Sequence, residues 1–126
     1  MAKALGVGGI FFKSKDSKAL MAWYERALNI PSDGGYTAFM PATIPAGGCT
    51  VFSPFKEDTD YFAPSTREFM FNLMVDDLDG ALSQVVAEGG QLAGDVQDFD
   101  YGRFGWFIDP DGNKVELWEP KVMPEA

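Results

Sequence analysis

Histidine does not occur among the 126 residues. Zinc, nickel and non-haem iron sites lean on imidazole, and Ser-His or Cys-His nucleophile pairs require it, so these chemistries are disfavoured at once. Acid–base work falls to carboxylates, lysines, tyrosines or the single thiol, Cys49. One cysteine cannot close an internal disulfide, which agrees with a reducing compartment, and a free cysteine ordinarily behaves as a small apolar residue. Two short motifs have chemical associations that their spacing does not support. GVGG at 6–9 lacks the GxGxxG spacing and follows no completed strand, so it is not a nucleotide loop. DPDGN at 109–113 has calcium-like residue types but is too short for an EF-hand loop and lacks its distal Glu. Its Pro and Gly make it a turn between two strands.

The chain that must position these groups is 46% hydrophobic, 14% aromatic and 23% charged, the composition of one globular domain spanning 1–126. Ten basic against nineteen acidic residues give a net charge of −9, which opposes phosphate backbones and anionic membrane surfaces. Neither nucleic acid nor membrane is expected as a partner. No apolar run reaches membrane-spanning length, and MAKALGVGGIFF lacks a cleavage site, so a cytoplasmic protein is expected. Charge is uneven: residues 1–55 carry five basic and three acidic groups, residues 56–126 five and sixteen.

Hydrophobic periodicity predicts a strand at 6–13 and then, capped by Asp16, a helix SKALMAWYERAL stopped by Asn29 and Pro31. Strands follow within YTAFM (36–40) and CTVFSP (49–54). Residues 56–66, KEDTDYFAPST, form an acidic connector read as a solubilising surface loop around Glu57, Asp58 and Asp60. The pattern then restarts: a strand EFMFNLMV, a helix capped by Asp77 with Leu78, Ala81, Leu82, Val85 and Val86 on one stripe, and strands near 91–97, 103–108 and 114–119. Sliding the chain by 61 residues lays Asp16 on Asp77 and one strand–helix unit on the other. Aligned separately, ELWEP (116–120) matches TVFSP (50–54). Each half reads strand, helix, strand, strand, strand, with module one at about 5–55 and module two at about 67–120.

This order, with GIFFKSKDSKALMAWYERALNI, VDDLDGAL and FIDPDGNKVELWEP, resembles the vicinal oxygen chelate superfamily of glyoxalase I, bleomycin resistance proteins and extradiol dioxygenases. The resemblance implies an α+β fold of tandem βαβββ modules, a curled mixed sheet with helices on its convex side, and a homodimer. In catalytic members a divalent metal is held from the first and last strands of each module. By the alignment those positions fall on Gly9, Thr50, Met70 and Glu116, of which only Glu116 is a hard ligand, so neither a metal nor another cofactor is expected.

If those positions face a cup, strand alternation sends Phe11, Lys13, Asn72, Met74, Lys114 and Trp118 inward, and Ile10, Phe12, Phe71, Leu73, Val115 and Leu117 toward the helices. A five-residue turn pairs Ile108 with Lys114, Trp106 with Glu116 and Phe104 with Trp118, whereas a four-residue turn would put Gly105 in the place of Trp106. The expected ligand site comprises Phe11, Trp106 and Trp118 as aromatic walls, Asn72 and Glu116 as polar groups, and Tyr101 and Arg103 at the mouth. For Arg103 an ion pair with Asp98, Asp100 or Glu119 is the competing reading. The resulting function is binding of a small planar or cationic molecule without a catalytic metal. The alternatives are a glyoxalase-like lyase or isomerase with Glu116 as base or sole protein metal ligand, and a non-catalytic dimeric assembly module.

Overall fold

The computed structural model describes residues 2–5, 7–32 and 34–122. Helix α1 (Ser17–Leu28) begins where Asp16 accepts a hydrogen bond from the Ala19 amide at 3.0 Å and ends at Asn29 in the left-handed conformation. Helix α2 (Leu78–Ala87) is capped by Asp77, and Glu119 accepts from the Leu78 amide at 2.8 Å, adding a second anion at the positive end of the helix dipole. Leu20, Trp23, Tyr24 and Ala27 of α1 and Leu78, Ala81, Leu82 and Val85 of α2 are buried, as their spacing predicts. Val86, expected on the same stripe, is exposed.

Both helices lie against one face of a mixed sheet of β1 (Phe71–Met74), β2 (Gln91–Leu92), β3 (Gln97–Phe99), β4 (Gly102–Ile108) and β5 (Lys114–Pro120). β1 runs parallel to β5, β5 antiparallel to β4, and both β2 and β3 pair with the far edge of β4. The strand expected at 91–97 is thus two short strands along one edge. Gly94, at φ 105, lets the chain bulge between them. Register across the hairpin is Ile108 to Lys114, Trp106 to Glu116 and Phe104 to Trp118, as the five-residue turn requires.

That register puts Phe107, Val115 and Leu117, all fully buried, on the helix face with Phe71 and Leu73. Gly105 belongs to the same face, where a Cβ would lie 2.9 Å from the Leu82 side chain, so its smallness lets α2 settle on β4. The turn itself is locked by Asp109, whose carboxylate accepts from the amides of Asp111 and Asn113 and from the Asn113 side chain at 2.8–2.9 Å. Tyr24 of α1 donates its hydroxyl to the same carboxylate at 2.8 Å, tying the first half of the chain to the second.

The α+β class and the complete second βαβββ unit match expectation. The first half differs: among the described residues of 7–13, 36–40 and 49–54 no strand forms a ladder with a neighbour, and Gly6 lies outside the described residues. The physical reason is where α1 goes. It turns its apolar stripe to the second-half sheet, with the Trp23 and Tyr24 rings 5.9 and 6.5 Å from that of Phe107, so no helix is left to back a first-half sheet. Phe12 still reaches β1, its ring 4.5 Å from Phe71, while Ile10, Phe11, Val51 and Phe52 are exposed. No helix of the described residues is long and apolar enough to cross a membrane.

Candidate functional site

On the sheet face away from the helices, Asn72, Glu116 and Trp106 stand in one row across β1, β5 and β4. Adjacent strands bring directly opposed side chains within reach of one another, and both neighbours of Glu116 carry N–H donors. Asn72 Nδ2 donates to Glu116 Oε1 at 2.7 Å, and Trp106 Nε1 donates to Oε2 at 2.9 Å. A third donor comes from outside the sheet, the Tyr61 hydroxyl, 2.6 Å from Oε2. With three donors aimed at it, the carboxylate accepts from all three. Burial and this hydrogen bond push the Tyr61 phenol above the ordinary tyrosine value, so its hydroxyl stays protonated and donating.

Tyr61 is held a second time, by the Lys114 ammonium, which donates to the Tyr61 carbonyl at 2.7 Å and lies 5.1 Å from the centre of the Tyr61 ring. The connector at 56–66 is therefore not simply a solubilising loop. Glu57, Asp58 and Asp60 are exposed as expected, but the aromatic next to them reaches Glu116 on the sheet face away from the helices.

Beside Glu116 opens a pocket of about 340 Å³ lined by Tyr61, Gln97, Phe99, Tyr101, Phe104, Trp106 and Glu116. Phe99 and Tyr101 stack in parallel at 5.3 Å, and Phe104 meets both edge-on. Trp118 lies behind this wall, stacked on Phe104 at 6.0 Å and donating its Nε1 to the Tyr101 carbonyl at 3.0 Å. Gly102 makes that possible, since a Cβ there would sit 2.2 Å from the Trp118 Nε1. Among the described residues Glu116 is the only charged side chain in the lining.

Of the residues expected at the site, Glu116, Trp106 and Tyr101 line the pocket, Asn72 supports the carboxylate, and Trp118 supports the wall rather than forming it. Phe11 is not brought there; it is 94% exposed on a segment without a ladder partner. Arg103 is not there either. It shares strand parity with Gly105 and Phe107, so it points to the helix face and makes a two-pronged contact with Asp79 of α2 at 3.1 and 3.2 Å. The ion pair expected with Asp98, Asp100 or Glu119 forms with Asp79 instead. Glu119 shares that parity and caps α2. Tyr61, Gln97, Phe99 and Phe104 complete the pocket; the alternation of Gln97, Phe99 and Tyr101 was a readable signal, and Tyr61 carried none.

The positions that the resemblance assigns to a metal do not fit one. Gly9 has no side chain, Thr50 is exposed, Met70 is a thioether, and both oxygens of Glu116 already accept from protein donors. Among the described residues no group of three or more Cys, Asp or Glu side chains is arranged to hold an ion.

A βαβββ sheet with helices on one face and a carboxylate at the middle of its last strand is what the resemblance to the vicinal oxygen chelate superfamily implies for one module. The glyoxalase-like domain model matches residues 9–118, and the chain belongs to that family. Among solved structures it is similar to a member of the glyoxalase/bleomycin resistance protein/dioxygenase superfamily from Sphaerobacter thermophilus, at 30% identity and a TM-score of 0.36 over 39% of this chain and 40% of that one. An antibiotic binding protein from Streptomyces sp. CB03234 is similar at 31% identity and a TM-score of 0.36, over 40% and 41%. A hypothetical protein from S. aureus has 21% identity and a TM-score of 0.39, over 44% and 45%. Each alignment spans less than half of the structure matched. No curated protein matches the chain.

Proposed function

We propose that the pocket binds a small planar or cationic molecule and that it does so without a catalytic metal. The observation that carries this reading is one carboxylate at the edge of a pocket otherwise walled by aromatic rings and a single amide, Gln97. Aromatic faces favour flat π-systems and cations, and a lone carboxylate orients a positive or donating group. Action of Glu116 as a general base has less support, because three protein donors already hold its two oxygens and both lone pairs of the pocket-side oxygen are taken.

Native mass spectrometry of the purified protein, repeated after denaturation, tests this. A small organic molecule released in stoichiometric amount, and at least about tenfold weaker retention in Glu116→Gln, are the expected results. A stoichiometric divalent metal, or retention indifferent to the substitution, refutes it.

A homodimer is also proposed, on the strength of the exposed Ile10, Phe11, Val51 and Phe52, which form apolar surface of the kind that association covers. Light scattering at micromolar concentration that returns only the monomer mass counts against it.

A further inference from the structure

We propose that Tyr61 is a built-in competitor for the carboxylate, so that a ligand gains Glu116 only by displacing the Tyr61 hydroxyl. This inference rests on the reading of the pocket as a ligand site. The two oxygens of Glu116 are not equivalent from the pocket. Oε1 accepts from Asn72, which is not in the lining, whereas Oε2 accepts from Trp106 and Tyr61, which are. A carboxylate oxygen has two lone pairs, so the oxygen on the pocket side is filled. Trp106 is fixed in the middle of β4 and is buried. Tyr61 belongs to a connector without a ladder and is 39% exposed. The tyrosine is therefore the donor that can leave.

Its backbone need not move. Lys114 holds the Tyr61 carbonyl, so rotation of the side chain alone vacates Oε2 while the connector stays docked. A neutral donor entering in its place exchanges one neutral donor on the carboxylate for another and gains little. A protonated amine or ring nitrogen brings a positive charge that the tyrosine hydroxyl lacks and adds ion-pair attraction to the hydrogen bond, so it wins the exchange. Tyr61 thereby acts as a specificity residue, passing cationic donors and holding back neutral ones.

The test is fluorescence titration with 9-aminoacridine, a planar cation at neutral pH, against the wild type, Tyr61→Phe and Glu116→Gln, with thermal midpoints measured in parallel. Removing the hydroxyl is expected to tighten binding about five- to tenfold, the value of one net hydrogen bond, while lowering the midpoint slightly. Affinity and stability move in opposite directions, which a merely structural tyrosine does not produce. Binding to Tyr61→Phe alone also supports the proposal. If Tyr61→Phe binds no tighter than wild type while Glu116→Gln loses at least tenfold, the competitor role is overturned and the pocket reading stands. If neither the wild type nor Tyr61→Phe binds, or Glu116→Gln binds as well as wild type, the pocket reading falls and the competitor with it. Tyr61→Leu must give the same sign of change as Tyr61→Phe and serves if the latter does not fold.

Discussion

The hairpin of β4 and β5 carries two carboxylates that each hold a tyrosine from a distant part of the chain. Asp109, in the turn, binds Tyr24 at 2.8 Å, and Glu116, in mid-strand, binds Tyr61 at 2.6 Å. The chemistry is alike and the surroundings are not. Asp109 is 4% exposed and takes its other hydrogen bonds from the turn it closes, so its network is complete and sealed. Glu116 takes one donor from each flanking strand and one from a half-exposed connector, and it borders an open pocket. A satisfied carboxylate is structural where every donor is immobile, and available where one donor can leave.

Breaking the sealed network has the largest expected effect. Asp109→Ala strands the Tyr24 hydroxyl and the turn amides in a buried site, and costs on the order of 3 kcal/mol in urea denaturation. A loss below about 1 kcal/mol would mean that water satisfies these groups and the two carboxylates do not differ as argued.

Next is Tyr24→Phe, expected to cost about 1–2 kcal/mol at neutral pH. Burial, and then the Asp109 charge, hold the Tyr24 phenol above its ordinary value of 10.0. A raised value in the folded state means stability that is full below 10.0 and is lost as pH rises beyond it, because the unfolded chain then ionises while the folded one does not. Melting curves taken on either side of that value should show a steeper alkaline loss for wild type than for Tyr24→Phe; parallel slopes would remove the tyrosine from the account.

Glu116→Gln sharpens the contrast, since it is expected to cost about 1 kcal/mol or less in stability while weakening ligand retention. Its partners Asn72 and Tyr61 are exposed and can turn to water. Smallest is Arg103→Ala. Its partner Asp79 is 71% exposed while Arg103 itself is partly covered, so the thermal midpoint should fall only slightly and ligand retention should stay at the wild-type value, and a change in retention would return Arg103 to the site.

Much of the second half was legible in the sequence. Alternation along FNLM and KVELWEP puts Asn72 and Glu116 on one face, because a sheet has only two faces, and the five-residue turn, rather than the four-residue one the sequence also allows, adds Trp106 to their row. The same parity, applied to Arg103, would have sent it to α2 rather than to the pocket mouth. Tyr61 was illegible. Its segment has no periodicity, and it meets Glu116 across 55 residues of chain, a contact that no local rule encodes.

The two halves show where such rules stop. Phe11 and Phe107 have the same side chain, and Val51 and Val115 do too; the first of each pair is exposed and the second is fully buried. Propensity and alternation depend on neighbours a few residues away, and these the chain determined by itself: both helices with their caps, the turn at 109–113, and the two faces of the sheet. Burial and hydrogen-bond partners depend on which surfaces meet. Only the tertiary structure decided that α1 backs the second-half sheet, that Asp109 is sealed by Tyr24, and that a connector residue stands on the carboxylate of the pocket, because each is a choice among distant surfaces that local sequence leaves equally available.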